Sequence, residues 1–198
     1  MAASAFYVSD DDPGSKREIL KATLKLFARD GIDGTNIRAI AAEAGYTNPA
    51  LFKFFDNKES LALYLFERCF HECLLAIRAT LAEKASFPAR MRATVRGFAA
   101  FVDAYPEAFF YVHDNSRRLL PKASETTRKH TVVGEFRKLL RQGRSEGVVN
   151  DGVPLEIQLA AVTGFLFQIA RSSYFGDFKG GLSRHAGGIE AMIARMLA

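Results

Sequence analysis

Apolar residues along this chain recur at intervals of three and four, and no stretch alternates as a strand would, so the pattern predicts an all-α protein of about nine helices. Residues 1–14 end in Asp10, Asp11, Asp12, Pro13 and Gly14 and read as a flexible arm. Ser15 with Glu18 forms a capping-box pattern ahead of a first helix. Its stripe is Ile19, Ala22, Leu26 and Phe27, and Gly31 ends it. Asp56 with Glu59 repeats the capping pattern for a long helix running to about Lys84. Pro88 opens the next helix, Tyr105-Pro106 breaks it, and Glu107 to Leu120 follows, ended by Pro121. Residues 123–147 read as one polar helix and 155–174 as the most apolar one. A final helix lies near 183–197.

Between the first and the long helix, two shorter periodic segments flank a glycine. Thr35 can cap a helix carrying Ile37, Ile40, Ala41 and Ala44, and Gly45 follows the last periodic residue, where a left-handed conformation costs glycine little. Thr47 can cap the next helix, with Tyr46 and Leu51 placed as a hydrophobic staple. Two such short helices joined by a tight turn have the layout of a helix-turn-helix, and they need the flanking helices to hold them.

Composition sharpens this only slightly. A formal charge of +5 permits a polyanionic partner without requiring one. The segment from Ser15 to Lys58 leans basic, with eight Lys and Arg against five Asp and Glu. Cys69 and Cys73 share one helix and cannot build a disulfide framework. Their spacing is not that of a closed zinc site, so no metal or cofactor is expected and buried thiols are the simpler reading. The acidic N-terminus is not a signal peptide, and no apolar run suffices to cross a bilayer. The expectation is a cytoplasmic protein with no membrane partner. No nucleophile–base pair or phosphate loop is recognisable, so an enzyme is not expected.

The residues Thr35, Ile37, Ile40, Ala41, Ala44, Gly45, Thr47, Ala50, Leu51, Phe52, Phe55, Lys58, Glu59 and Leu61 resemble, in order and spacing, the DNA-binding segment of TetR-type transcriptional regulators. The resemblance covers about the first third of the chain. It implies a helix-turn-helix domain over 15–57 and a helical effector-binding and dimerisation domain over 58–198. It further implies a regulator, by family habit a repressor, bound to a double-stranded DNA operator as a homodimer and released by a small-molecule effector of unknown identity. Phe52 and Phe54 stand where the family often has Tyr and His, so Lys53 is left to supply the phosphate charge. The second helix, from Asn48, is the one expected in the major groove. Asn48 is suited to an adenine edge, and Pro49 and Ala50 belong to the same first turn. Thr35, Arg38, Thr47, Lys53 and Lys58 complete the expected DNA-contacting set.

One such helix reads few bases, and a dimer would place two of them about one DNA turn apart on a palindrome. The helix 155–174 carries two stripes. Leu155, Leu159, Val162, Leu166 and Ile169 form the larger, while Ile157, Ala161, Gly164, Gln168 and Arg171 form a second of smaller residues. Leu155, Leu159, Ala161, Val162, Gly164 and Gln168, with Ile189 and Ile193 of the last helix, are the expected dimer surface; the alternative is that both stripes bury within one subunit. The aromatic residues of the C-terminal part fill a helical core or, as the resemblance implies, surround an effector cavity. Phe66, Phe70, Phe98, Phe101, Phe109, Phe110, His113, Phe165 and Gln168 are its expected lining. A competing reading keeps DNA binding and dimerisation but gives the helical domain no ligand.

Overall fold

The computed structural model describes residues 6–81, 85–177 and 179–198, and among them the secondary structure is helical throughout, with no strand. The chain divides into two compact units. The first holds residues 1–72 and 107–129, and the second holds 73–106 and 130–198.

In the first unit, α1 spans Gly14–Gly34, α2 Ile37–Glu43 and α3 Asn48–Phe52. The α1 stripe buries Ile19, Leu20, Leu24, Leu26 and Phe27, and Ile40, Ala41 and Leu51 of the two short helices are buried as well. Gly31, at φ 75°, interrupts α1 where its apolar stripe ends, and Gly45, at φ 74°, makes the turn between α2 and α3. The capping residues differ from those the sequence pattern suggests. No side chain caps α1, whose cap position is Pro13. Asn36 caps α2, accepting the Ala39 N–H at 2.9 Å, while the adjacent Thr35 turns inward. At the head of α4, Lys58–Leu81, a reciprocal cap joins Asn57 and Ser60: Ser60 N–H donates to Asn57 Oδ1 at 2.8 Å and Asn57 N–H to Ser60 Oγ at 3.2 Å. The box lies one residue beyond Asp56 and Glu59.

The arm from Phe6 onward is tied down, contrary to the expectation for residues 1–14. Tyr7 and Val8 are buried, the Tyr7 carbonyl accepts from Arg68 Nε at 3.2 Å, and Asp12 pairs with Lys16 at 2.8 Å. Lys16 also donates to the Tyr64 hydroxyl at 2.9 Å. Residues 1–5 lie outside the described residues. Helix α6, Pro106–Leu119, and the short α7, Glu125–Lys129, complete this unit. Tyr111 of α6 is buried, stacks on Phe27 of α1 at 5.8 Å and donates its hydroxyl to the Ala62 carbonyl of α4 at 2.7 Å.

The second unit is built from the end of α4, α5 at Phe87–Ala104, α8 at Val132–Ser145, α9 at Leu155–Tyr174 and α10 at Ala186–Leu197. The single polar helix expected over 123–147 is two helices. Thr131 caps α8 by accepting the Gly134 N–H at 3.0 Å, which ends helical continuity after α7. Gly143 of α8 is required by close packing, because a Cβ there would meet Val149 at 2.4 Å and Phe87 at 2.8 Å. Asp103, one residue before the end of α5, accepts the N–H groups of Leu182 and Ser183 at 2.7 and 2.9 Å and so anchors the 3-10 turn Leu182–His185 ahead of α10.

Candidate nucleic-acid interface

The α2–turn–α3 segment separates its residues cleanly by chemistry. Ile40, Ala41, Leu51 and Phe55 are buried, whereas Arg38, Thr47, Pro49, Phe52 and Lys53 are exposed and Asn48 and Ala50 are half-buried. The outward face of this segment therefore offers an amide, a guanidinium, an ammonium, a hydroxyl and two aromatic rings. Phe52 is 49% exposed and Tyr46 39%, so the face is not purely polar. Leu51 and Phe55 take the inward positions of this segment, and Phe52 between them is exposed. Thr47 stands at the cap position of α3 without a side-chain cap bond, and its carbonyl accepts from Ala50 and Leu51, leaving the hydroxyl outward.

Two residues expected at the DNA are engaged inside the fold instead. Thr35 is 3% exposed, and its hydroxyl donates to the Gly31 carbonyl at 2.8 Å. Lys58 directs its ammonium at the Ile32 and Thr35 carbonyls, at 2.7 and 2.8 Å, where it neutralises the carbonyl end of α1. Together they fasten the end of α1 to the start of α4. A further tie, which no sequence periodicity reveals, joins Arg118 at the end of α6 to both carboxylate oxygens of Asp33, at 2.8 and 2.9 Å. This bond holds the Asp33 carboxyl below the ordinary aspartate range.

The α9 stripes also separate. Leu159 and Val162 are buried within the chain, as are Ile189 and Ile193 of α10, because the larger stripe packs in the interior of the second unit. These four side chains cannot present themselves to another molecule, and the expectation that they form a dimer surface is corrected to that extent. Leu155 is half-buried. The second stripe faces outward: Ile157 (58% exposed), Ala161, Gly164 and Gln168, with Met192 and Met196 exposed on α10.

The aromatic positions expected around an effector fall in both units. Phe66, Phe70, Phe109 and Phe110 are buried in the first, where Phe66 lies 5.6 Å from Phe70 and Phe109 stacks on His113 at 6.2 Å. Phe98 is buried and Phe101 half-buried in the second. Gln168 is exposed on the outer stripe, so it is not an interior polar anchor. Phe165 lines a groove of about 520 Å³ with Ile169, Leu182, Ile189 and Met192. Cys69 and Cys73 are both buried. No helix among the described residues is long and apolar enough to cross a membrane.

Residues 19–65, which span the whole of this interface, match the family model described as bacterial regulatory proteins, tetR family. A curated relative, the HTH-type transcriptional repressor KstR2 of Rhodococcus jostii, is 28% identical over 139 residues, 70% of this chain and 67% of its own length. Among solved structures, the ketosteroid transcriptional regulator KstR2 of Mycobacterium tuberculosis superposes with a TM-score of 0.80 at 17% identity, over 95% of this chain and 97% of its own. The transcriptional regulator FadR of Bacillus subtilis, solved in complex with stearoyl-CoA, does so with a TM-score of 0.71 at 14% identity, over 92% and 100%.

Proposed function

We propose, for a chain that belongs to the TetR family of bacterial transcriptional regulators, that two copies set α3 into successive major grooves of a palindromic operator and are released by a small, largely apolar effector. The observation that carries this reading is the outward face of α3 and its approach. In this reading Asn48 bonds an adenine edge, Phe52 covers a thymine methyl group, and the exposed Lys53, Arg38 and Thr47 hold phosphates. Thr35 and Lys58 support that face from behind and touch no DNA. In this reading residues 15–57 form the DNA-binding domain and 58–198 the effector-binding and dimerisation domain.

A monomer with one five-residue reading helix contacts too few base pairs for selectivity, so the copies pair. The partner surface is the outer stripe of α9, Ile157, Ala161, Gly164 and Gln168, with Met192 and Met196 of α10. Small side chains at 161 and 164 allow the helix of a second copy to approach closely, and the exposed methionines and Ile157 supply apolar area. The effector class is supported by the relatives, one named for a ketosteroid and one bound to a long-chain acyl thioester, and by the many aromatic side chains of the helical part. Helix α4 contributes to both compact units, so an effector that favours a different α4 position would alter the spacing of the two α3 helices. Its power to do so equals its difference in affinity for the two states.

The test is selection of genomic fragments by the purified chain, followed by release assays with ketosteroids and long-chain acyl thioesters. Recovery of a palindrome that one of these compounds releases supports the reading. A palindrome bound identically in the presence of every compound favours the ligand-independent alternative.

A further inference from the structure

The second unit contains a cleft of about 560 Å³ whose lining includes cations from three helices, Arg78 of α4, Arg90 of α5 and Lys138 of α8, beside Leu81, Leu139 and Gln142. Its lining has one carboxylate, Glu135, which is 7% exposed. Arg78 donates to Glu135 Oε1 through Nε and Nη2, at 2.9 and 2.8 Å, and Lys138 reaches both Glu135 oxygens, at 3.2 and 3.1 Å. Burial works to raise the Glu135 carboxyl, but these bonds hold it below the ordinary glutamate range, so it is ionised at neutral pH. The lining thus carries three positive charges against one negative charge, with Arg78 and Lys138 paired to Glu135 and Arg90 apart from it. Glu146, a neighbour of Arg90 already held by the Phe87 N–H at 2.8 Å and by Gln142, lowers the excess but does not remove it.

Arg90 is the least satisfied of the three. Its terminal nitrogens donate to neutral acceptors, Gln142 Oε1 and the Leu81 carbonyl, and its Nε is buried with no acceptor. A buried donor left unpaired is costly, and a guanidinium without a carboxylate is the arrangement that recognises an oxyanion. The volume falls within the range of small-molecule sites.

We infer that this cleft is a binding site for a small oxyanion-bearing molecule, a phosphate or a carboxylate, held by Arg90, Lys138 and Arg78. The site lies in the second unit, and the inference is independent of whether α3 reads an operator. An occupant neutralises the excess charge and gives the Arg90 guanidinium the anionic partner that its neutral acceptors, Gln142 Oε1 and the Leu81 carbonyl, do not provide. Because it binds the folded chain and not the unfolded one, occupancy raises thermal stability by mass action.

The experiment is thermal unfolding of the full chain in the presence of inorganic pyrophosphate or of glutarate, with ionic strength held constant by sodium chloride. The wild type is expected to melt at a higher temperature in at least one of the two than in chloride alone, and the anion that acts identifies the phosphate or the carboxylate class. Lys138→Gln, at a side chain 66% exposed and therefore tolerant of change, is expected to weaken the response. Combining it with Arg90→Gln is expected to abolish the response, with circular dichroism establishing that the variant is folded. Line broadening of the pyrophosphate phosphorus resonance by the wild type reads the same binding without any variant. A melting temperature that follows ionic strength alone, or a response undiminished by Lys138→Gln, overturns the inference.

Discussion

Phe52 illustrates how a single side chain carries information that its residue type conceals. It is half exposed beside the polar side chains of Asn48, Thr47 and Lys53. If it covers a thymine methyl group, replacing the contacted thymine by uracil in the selected operator is expected to weaken wild-type binding while leaving Phe52→Ala unaffected. Equal sensitivity of the two proteins in a gel-shift titration would dismiss the contact. Asn48→Ala is expected to cost about 1–3 kcal/mol on the operator and little on random duplex. Parallel loss on both would reduce Asn48 to a phosphate or packing role. At this scale the sequence was legible where a side chain had one plausible place, as for Ile40 or Leu51, both fully buried. It was ambiguous where neighbours compete for one task. Thr35 and Asn36 are both competent caps, and only the packing of the α1 terminus decides that the threonine turns inward while the asparagine caps.

At the scale of elements, α8 shows what periodicity misses. Residues 123–147 keep a helical pattern across a real break, because Thr131 serves equally well as a helical residue and as a cap. The same helix hides a packing constraint at Gly143. Gly143→Ala is expected to destabilise the fold by about 1–3 kcal/mol, since the methyl group would overlap Phe87 and Val149, whereas Gly164→Ala, with nothing near it, should not; urea denaturation of the two variants compares them. The arm is a second case. Its acidic run suggested a frayed end, but Asp12 is used by Lys16. Burial alone would raise the Asp12 carboxyl, yet the bonds from Lys16 and the Ser9 N–H set it below the ordinary aspartate value. A depressed carboxylate contributes stability that is present above that ordinary value and is lost as the pH falls through and beneath it. Asp12→Asn is therefore expected to lower stability at neutral pH and to reduce the further loss on acidification. An unchanged pH profile in the variant would show that the pair contributes nothing.

For the whole molecule, the N-terminal third was readable because a helix-turn-helix repeats a short and strict pattern of buried positions. The rest of the chain was legible as helices and not as surfaces. Both stripes on α9 are apolar enough to be buried, and the packing of α8 and α10 on α9 determines that Leu159 and Val162 turn inward while Ala161 and Gly164 stay outside. Gly164→Glu places a charge at the centre of the proposed pairing surface without crowding the chain itself. It is expected to yield a folded monomer by sedimentation and to abolish operator binding; a dimer of unchanged strength would place the interface elsewhere. Operator recognition by paired copies is the claim on which the regulatory reading rests, and footprinting on a selected genomic fragment tests it most directly. Two protected half-sites are expected, related by a two-fold axis with their centres roughly 34 Å apart, and both lost together in Gly164→Glu. Protection that never exceeds that of bulk competitor DNA would contradict that claim.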